Sequence, residues 1–274
     1  MNYKLLFPTY RNRYTFVKQH LAELGRTSTF TNALNLGTGE GDYDPMIAPF
    51  CQKLIACDIN EQDVLFAKSL NTNVLNLGYQ VENALALSFA DNSFDLLTSV
   101  EVLEHVGNPA LMIQEVGRVL KPGGVAIITF PSLDFPMTYD PINRIAAFFG
   151  KTRLIGQGAY AFGHDYVVSP KDFRAWAAAN QLDIVKEQNM SGYLIGLLEM
   201  YWTGIIQSIF KANSKNLTED KTSGISLRPS LTEPKAAFIT DAIINLDFWL
   251  FSKRFHSVGK GFIVRKATSP TPPK

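Results

Sequence analysis

The chain has little of what marks several classes of protein. Its 274 residues hold two cysteines, Cys51 and Cys57, without metal-ligand spacing. A disulfide framework and a thiolate metal site are therefore not expected. Cys51 just precedes an apolar run and Cys57 lies within it, which fits small core residues in a reducing compartment. Net charge is almost absent: 26 basic residues face 25 acidic ones, for a formal charge of +1. That balance makes no electrostatic case for a nucleic-acid partner. No run of 18 uncharged apolar residues occurs, so no spanning helix is predicted. Residues Met1–Pro8 lack the apolar core of a signal peptide, and a cytoplasmic location is expected. Histidines number four, and no cluster of His or acidic residues suggests a metal site, so no metal is expected. No internal repeat is found.

What is present is a sizeable apolar fraction, 46% hydrophobic and 12% aromatic, enough for one α/β domain with additions. The most informative stretch is Ala33–Asp44. An apolar run ends at Leu36 and is followed by Gly37, Gly39 and Gly41 at alternate positions. This reads as a buried strand, a tight turn and a helix start, the place where doubly wound sheets bind nucleotides. Glycine turns also close ordinary strand–helix junctions, so the turn alone does not decide the matter. Ile55-Ala56-Cys57-Asp58 is a second apolar run that ends in an acid, about 20 residues after the turn, where a carboxylate can accept from ribose hydroxyls. Then come Ala90–Ser99, Val102-Leu103-Glu104-His105-Val106 and Arg118-Val119-Leu120-Lys121-Pro122-Gly123-Gly124.

Together these motifs resemble the class I S-adenosylmethionine-dependent methyltransferases, in particular the small-molecule branch with the ubiquinone and menaquinone methylases. The resemblance is strong over residues 30–131 and weak over 164–188. It implies an α/β, Rossmann-like sheet of about seven mostly parallel strands, with helices on both faces and an antiparallel last strand. Strands are expected near 32–36, 53–58, 79–82, 94–100, 125–130, 182–188 and 261–265. Helices are expected near 9–25, 61–70, 109–120 and 170–179. The resemblance implies S-adenosylmethionine as cofactor, with no metal. It assigns the cofactor to Asn35, Gly37, Gly39, Gly41, Asp58, Ile59, Asn83, Ala84, Ser99 and Glu101.

Two of those positions depart from the family pattern. Asn35 stands where the family carries an acid, so the chain lacks a negative charge beside the ligand's ammonium. Glu40 and Asp42 are the nearby acids that could compensate. Asn83-Ala84 stands where the family has Asp-Ala at the adenine; Asn83 can still accept through its side-chain oxygen, and it can equally be a turn residue. His164, in Gly163-His164-Asp165, and His105 are the candidates for a general base. Each has a plainer reading as a packing or pocket-lining residue.

Residues 1–30 are expected to form an N-terminal lid helix, as the resemblance implies, or equally a packing helix that closes one sheet face. Residues 31–189 and 259–267 should form the cofactor-binding domain, with a helical insertion at 190–258 and a disordered tail at 268–274. The insertion carries two apolar stretches, Leu194–Phe210 and Ala236–Phe255, and the second joins Phe248-Trp249-Leu250-Phe251 to Lys253-Arg254. That pattern fits a greasy lid, peripheral membrane contact, or ordinary core helices against the sheet or a second subunit, as in a homodimer. The reading is a transferase that methylates an oxygen or a carbon of a hydrophobic, lipid-like small molecule. A catalytically inactive scaffold of the same fold is the alternative. A nicotinamide dehydrogenase fits poorly, because its third glycine would come one residue later.

Overall fold

The computed structural model describes residues 2–26, 29–134, 145, 148–150, 168–196, 198, 232–251 and 256–268. The seven strands are β1 (Phe30–Leu36), β2 (Cys51–Asp58), β3 (Leu77–Val81), β4 (Phe94–Val100), β5 (Leu120–Pro131), β6 (Leu182–Asn189) and β7 (Gly259–Lys266). They form one sheet in the order β3-β2-β1-β4-β5-β7-β6. Strands β1 to β5 are parallel, and β7 pairs antiparallel with both β5 and β6. The chain winds outward from β1 in one direction and from β4 in the other. That reversal opens a crevice at the carboxyl ends of β1 and β4, where ligands bind in open α/β sheets.

Both sheet faces are covered. Helix α1 (Pro8–Gly25) lays Phe16, Val17 and Leu21 on the face that carries Ala33, Leu54, Leu96 and Ile127. It packs so closely that a Cβ on Gly261 would come within 2.5 Å of Phe16. Short helix α2 (Asp44–Ile47) follows the glycine turn, and α3 (Glu61–Leu70) follows β2. On the opposite face, α4 (Pro109–Val119) contributes Met112, Ile113 and Val116, and α5 (Pro170–Ala179) contributes Phe173. They meet Leu34, Leu97, Phe130 and Phe262. Neighbouring positions such as Leu96 and Leu97 serve opposite faces because side chains alternate along a strand. The helix starts follow local chemistry. Asn108 accepts from the Leu111 amide ahead of Pro109, and Ser169 accepts from Lys171 ahead of Pro170.

The structure revises several boundaries. Strand β5 starts at Leu120, and Lys121-Pro122-Gly123-Gly124 forms an irregularity within it: the pairing steps from Phe94–Leu120 to Leu96–Val125. Strand β3 starts at Leu77, and Cys51 is the first residue of β2. The Asp91–Asp95 stretch lies at the amino end of β4, away from the crevice. Arg118 pairs with Asp91 at 2.8 Å and donates to the Leu87 and Phe89 carbonyls, while Asp95 accepts from the Thr31 and Asn32 amides. Its role here is to fasten the entrance to β4.

Of the expected insertion, α6 (Ala237–Phe251) is described, and most of Leu194–Phe210 lies outside the described residues. Asp247, fully buried on α6, accepts from the Leu194 amide at 3.0 Å. The tail beyond residue 268 also lies outside them. No helix among the described residues is long and apolar enough to cross a membrane.

Candidate active site

The turn after β1 is locked to the end of β2. The Gly37 and Thr38 amides both donate to the Cys57 carbonyl, at 2.8 and 2.9 Å. All three turn glycines have positive φ, yet they differ in what surrounds them. A Cβ on Gly37 would lie 2.2 Å from Val102, and one on Gly41 within 2.9 Å of Asn71, Ala67 and Asp44. A Cβ on Gly39 would meet nothing within 4 Å. Gly37 and Gly41 are thus required by packing, whereas Gly39 faces the crevice and leaves room for a ligand against the backbone.

Asp58, at the tip of β2, is held in that opening. Its Oδ2 accepts from the Gly39 amide at 2.9 Å and its Oδ1 from the Asn60 amide at 3.0 Å. Each oxygen keeps acceptor capacity for a hydroxyl. Ile59 beside it is 69% exposed. Asn83 is exposed and its Oδ1 accepts from the Leu85 amide at 2.9 Å, an Asx turn, with Ala84 following in the same turn. The adenosine half of a nucleoside ligand fits this set: an open glycine, an aligned carboxylate and an exposed isoleucine.

Asn35 serves the turn from beneath. It is 2% exposed, donates to Thr38 at 3.2 Å and Asp44 at 2.7 Å, and accepts from Thr98 at 2.8 Å. The acid in this neighbourhood is Asp44, which sequence reasoning passed over. Fully buried, it also accepts from Thr38 at 2.8 Å and from the Tyr79 hydroxyl at 2.7 Å. Several donors compensate its charge. Asp44-Pro45 at a helix start was the available signal. The two acids that could compensate for Asn35 both bind Lys4, Glu40 at 2.9 Å and Asp42 at 2.6 Å.

Across the crevice, Ser99 is buried at the carboxyl end of β4. Glu101 takes φ +56°, a conformation that costs a non-glycine residue about 1–3 kcal/mol and gathers at functional sites. Its carboxylate accepts from Thr129 and from Arg13 of α1, each at 3.0 Å. Glu104 is fully buried, and among the described residues neither of its side-chain oxygens has a hydrogen-bond partner. Burial, and then the Glu101 charge, push its carboxyl well above the usual range. His105 lies at the rim, with Nε2 3.9 Å from Glu104 Oε1 and its side chain 42% exposed. The Leu-Glu-His motif was read for its histidine; the buried glutamate was missed because nothing local marks it as buried. His164 lies outside the described residues. Among those described, no group of three His, Cys, Asp or Glu side chains is placed to hold a metal.

Comparison with known proteins matches residues 34–128 to the methyltransferase domain family. Over these residues the chain is similar to that family. A ubiquinone/menaquinone biosynthesis C-methyltransferase from Hydrogenovibrio crunogenus is 34% identical over 131 residues, 46% of this chain and 50% of that one. A ubiquinone biosynthesis O-methyltransferase from Coxiella burnetii is 25% identical over 176 residues, 63% of this chain and 70% of its own. The first match thus spans half of the relative's length. Among solved structures, the YcgJ protein of Bacillus subtilis superposes with a TM-score of 0.55 at 19% identity, covering 91% of this chain and 98% of that one. At that identity the likeness is one of fold. The matched residues include the glycine turn, Asp58 and the carboxyl end of β4, and α6 lies outside them.

Proposed function

We propose that the protein is an S-adenosylmethionine-dependent methyltransferase acting on an oxygen or carbon of a hydrophobic or amphiphilic small molecule. The observation that carries this reading is the open Gly39 turn facing a pre-aligned Asp58. The glycine backbone and Asp58 would hold the adenosine, with Ile59 and the Asn83-Ala84 turn flanking the base. The bound cofactor supplies an activated methyl group on a sulfonium, so the protein's task is to align the acceptor and exclude water. The carboxyl end of β4 supplies the acceptor side, with Ser99, Glu101 and Glu104 under the cover of α1. A phenolic or enolic acceptor needs little help to lose its proton; an alcohol needs a base. His105 at the rim and His164 are the candidates for that role. Relatives named for C- and O-methylation in ubiquinone biosynthesis support an aromatic, lipid-like acceptor. An inactive scaffold has no comparable support, because the cofactor turn and Asp58 are intact.

Calorimetric titration with S-adenosylmethionine, S-adenosylhomocysteine and NAD tests the reading. Micromolar binding of the first two with no NAD binding is expected; no binding of either would overturn it. An acceptor screen should begin with phenolic and polyprenyl-substituted compounds.

The exposed apolar side chains of α6 favour peripheral contact with an anionic lipid surface. Phe238 is 70% and Trp249 79% exposed, with Ile239, Leu246 and Leu250 alongside. The sequence sets Lys235 before the helix and Lys253-Arg254 after it, a distribution suited to negatively charged headgroups. Cosedimentation with phosphatidylglycerol vesicles, lost on Trp249→Ser, is the expected result. No cosedimentation with a concentration-dependent dimer would assign the face to a second copy instead. Two free, buried cysteines support a cytoplasmic setting.

A further inference from the structure

The N-terminal arm carries a cation into the cofactor turn. Lys4 lies in a 3-10 turn, Tyr3–Leu6, ahead of α1. Its ammonium bridges Glu40 and Asp42, which sit on either side of Gly41. The pair is sheltered, with side-chain exposures of 21% for Lys4, 10% for Glu40 and 9% for Asp42. Burial disfavours the lysine charge, but the two carboxylates more than offset it and hold its pKa above the ordinary value. The turn therefore concentrates negative charge, and a primary ammonium of the chain itself occupies it. An acid at position 35 would provide a charge here independent of Lys4; Asn35 does not.

Resting on the cofactor reading above, we propose that Glu40 and Asp42 recognise the α-ammonium of the cofactor's amino-acid end, and that Lys4 is an internal competitor which that ammonium displaces. The exchange is of like for like: one ammonium leaves the two carboxylates as another arrives, so charge balances. It has a mechanical consequence. The arm is also tied to the segment before α6 by the Asn2 amide on the Thr232 carbonyl at 2.7 Å and to α6 itself by Thr240 on the Leu6 carbonyl at 3.0 Å, and Arg11 of α1 binds Asp241 of α6 at 2.7 Å. Release of Lys4 leaves the arm held by these contacts, by buried Leu5 and by α1 that follows it. Cofactor entry thereby loosens the strap over the turn without detaching it.

The test compares S-adenosylhomocysteine with its analogue lacking only the α-amino group, by calorimetry on the full chain. Lys4→Met should tighten S-adenosylhomocysteine by about tenfold, about 1.4 kcal/mol, since the ligand's ammonium no longer competes with a lysine, and should leave the analogue unchanged or weaker. The double variant Glu40→Gln with Asp42→Asn should weaken S-adenosylhomocysteine by a similar factor and spare the analogue. Weaker S-adenosylhomocysteine binding by Lys4→Met would overturn the proposal and make Lys4 a partner of the ligand's carboxylate. Equal effects on both ligands would overturn it as well, leaving a structural contact. Absence of S-adenosylhomocysteine binding by the unmodified protein would instead remove the cofactor reading, and this proposal with it.

Discussion

Asp58 and Glu104 are opposite uses of a carboxylate. Asp58 is held by two backbone amides at the mouth of the crevice. Asp58→Ala should reduce S-adenosylhomocysteine affinity by about tenfold or more; unchanged affinity in calorimetry would take Asp58 out of the site. Glu104 is fully buried, with no side-chain donor on its carboxylate among the described residues. Its folded-state pKa lies above the unfolded value, so the folded protein binds the proton more tightly. The protein therefore loses stability as pH rises from the unfolded carboxylate range toward the folded pKa. Glu104→Gln lacks that proton, and its stability relative to the unmodified protein should grow between pH 4 and 7 in urea unfolding, with a slope of at most about 1.4 kcal/mol per pH unit. Parallel pH profiles would show that Glu104 ionises freely. Asp58 was legible from its place after an apolar run. Glu104 and Asp44 were not, because burial is a property of the packed chain and both are ordinary surface residue types.

At the scale of elements, the glycine turn separates two demands that its sequence pattern merges. Gly37 and Gly39 both have positive φ, and alanine at either costs about 1–2 kcal/mol. Gly37→Ala adds a Cβ 2.2 Å from Val102, which should cost about 1–3 kcal/mol more through overpacking. Gly39→Ala should stay nearer the parent in urea unfolding and lose most S-adenosylhomocysteine binding, since its Cβ enters the open crevice. If Gly39→Ala binds normally, the ligand does not approach the turn at that point. Helices α1, α3, α4 and α5 were legible from apolar spacing and from caps such as Asn108 and Ser169, since those signals act within a single turn. The start of β5 was not. Pro122 and Gly123-Gly124 are strong breakers, yet pairing with β4 carries the strand across them as an irregularity. The Arg118 cluster was likewise read only as part of a family motif, and its fastening of the β4 entrance emerges from contacts about 30 residues apart in the chain.

On the scale of the whole molecule, the turn, β2 and β4 belong to one sheet, so a ligand spanning them should stabilise the fold as a unit. Saturating S-adenosylhomocysteine at about 100 times its Kd should add about 2.7 kcal/mol, which raises Tm by roughly 5–10 °C for a chain of this size. NAD should leave Tm unchanged. A shift with NAD alone would reverse the choice of cofactor.

The spaced glycines, the acid after the second apolar run and the later motifs, taken together and in order, were legible as a resemblance that implies a doubly wound sheet and a nucleotide-binding turn, because each motif depends on residues a few positions apart. Tertiary structure alone decided that Asp44 lies against Asn35, that Lys4 fills the acids of the turn and that Glu104 is sealed beside Glu101. Those pairings join separate segments, and their distances follow from the strand order and from how α1 lies across the sheet, which no local spacing records.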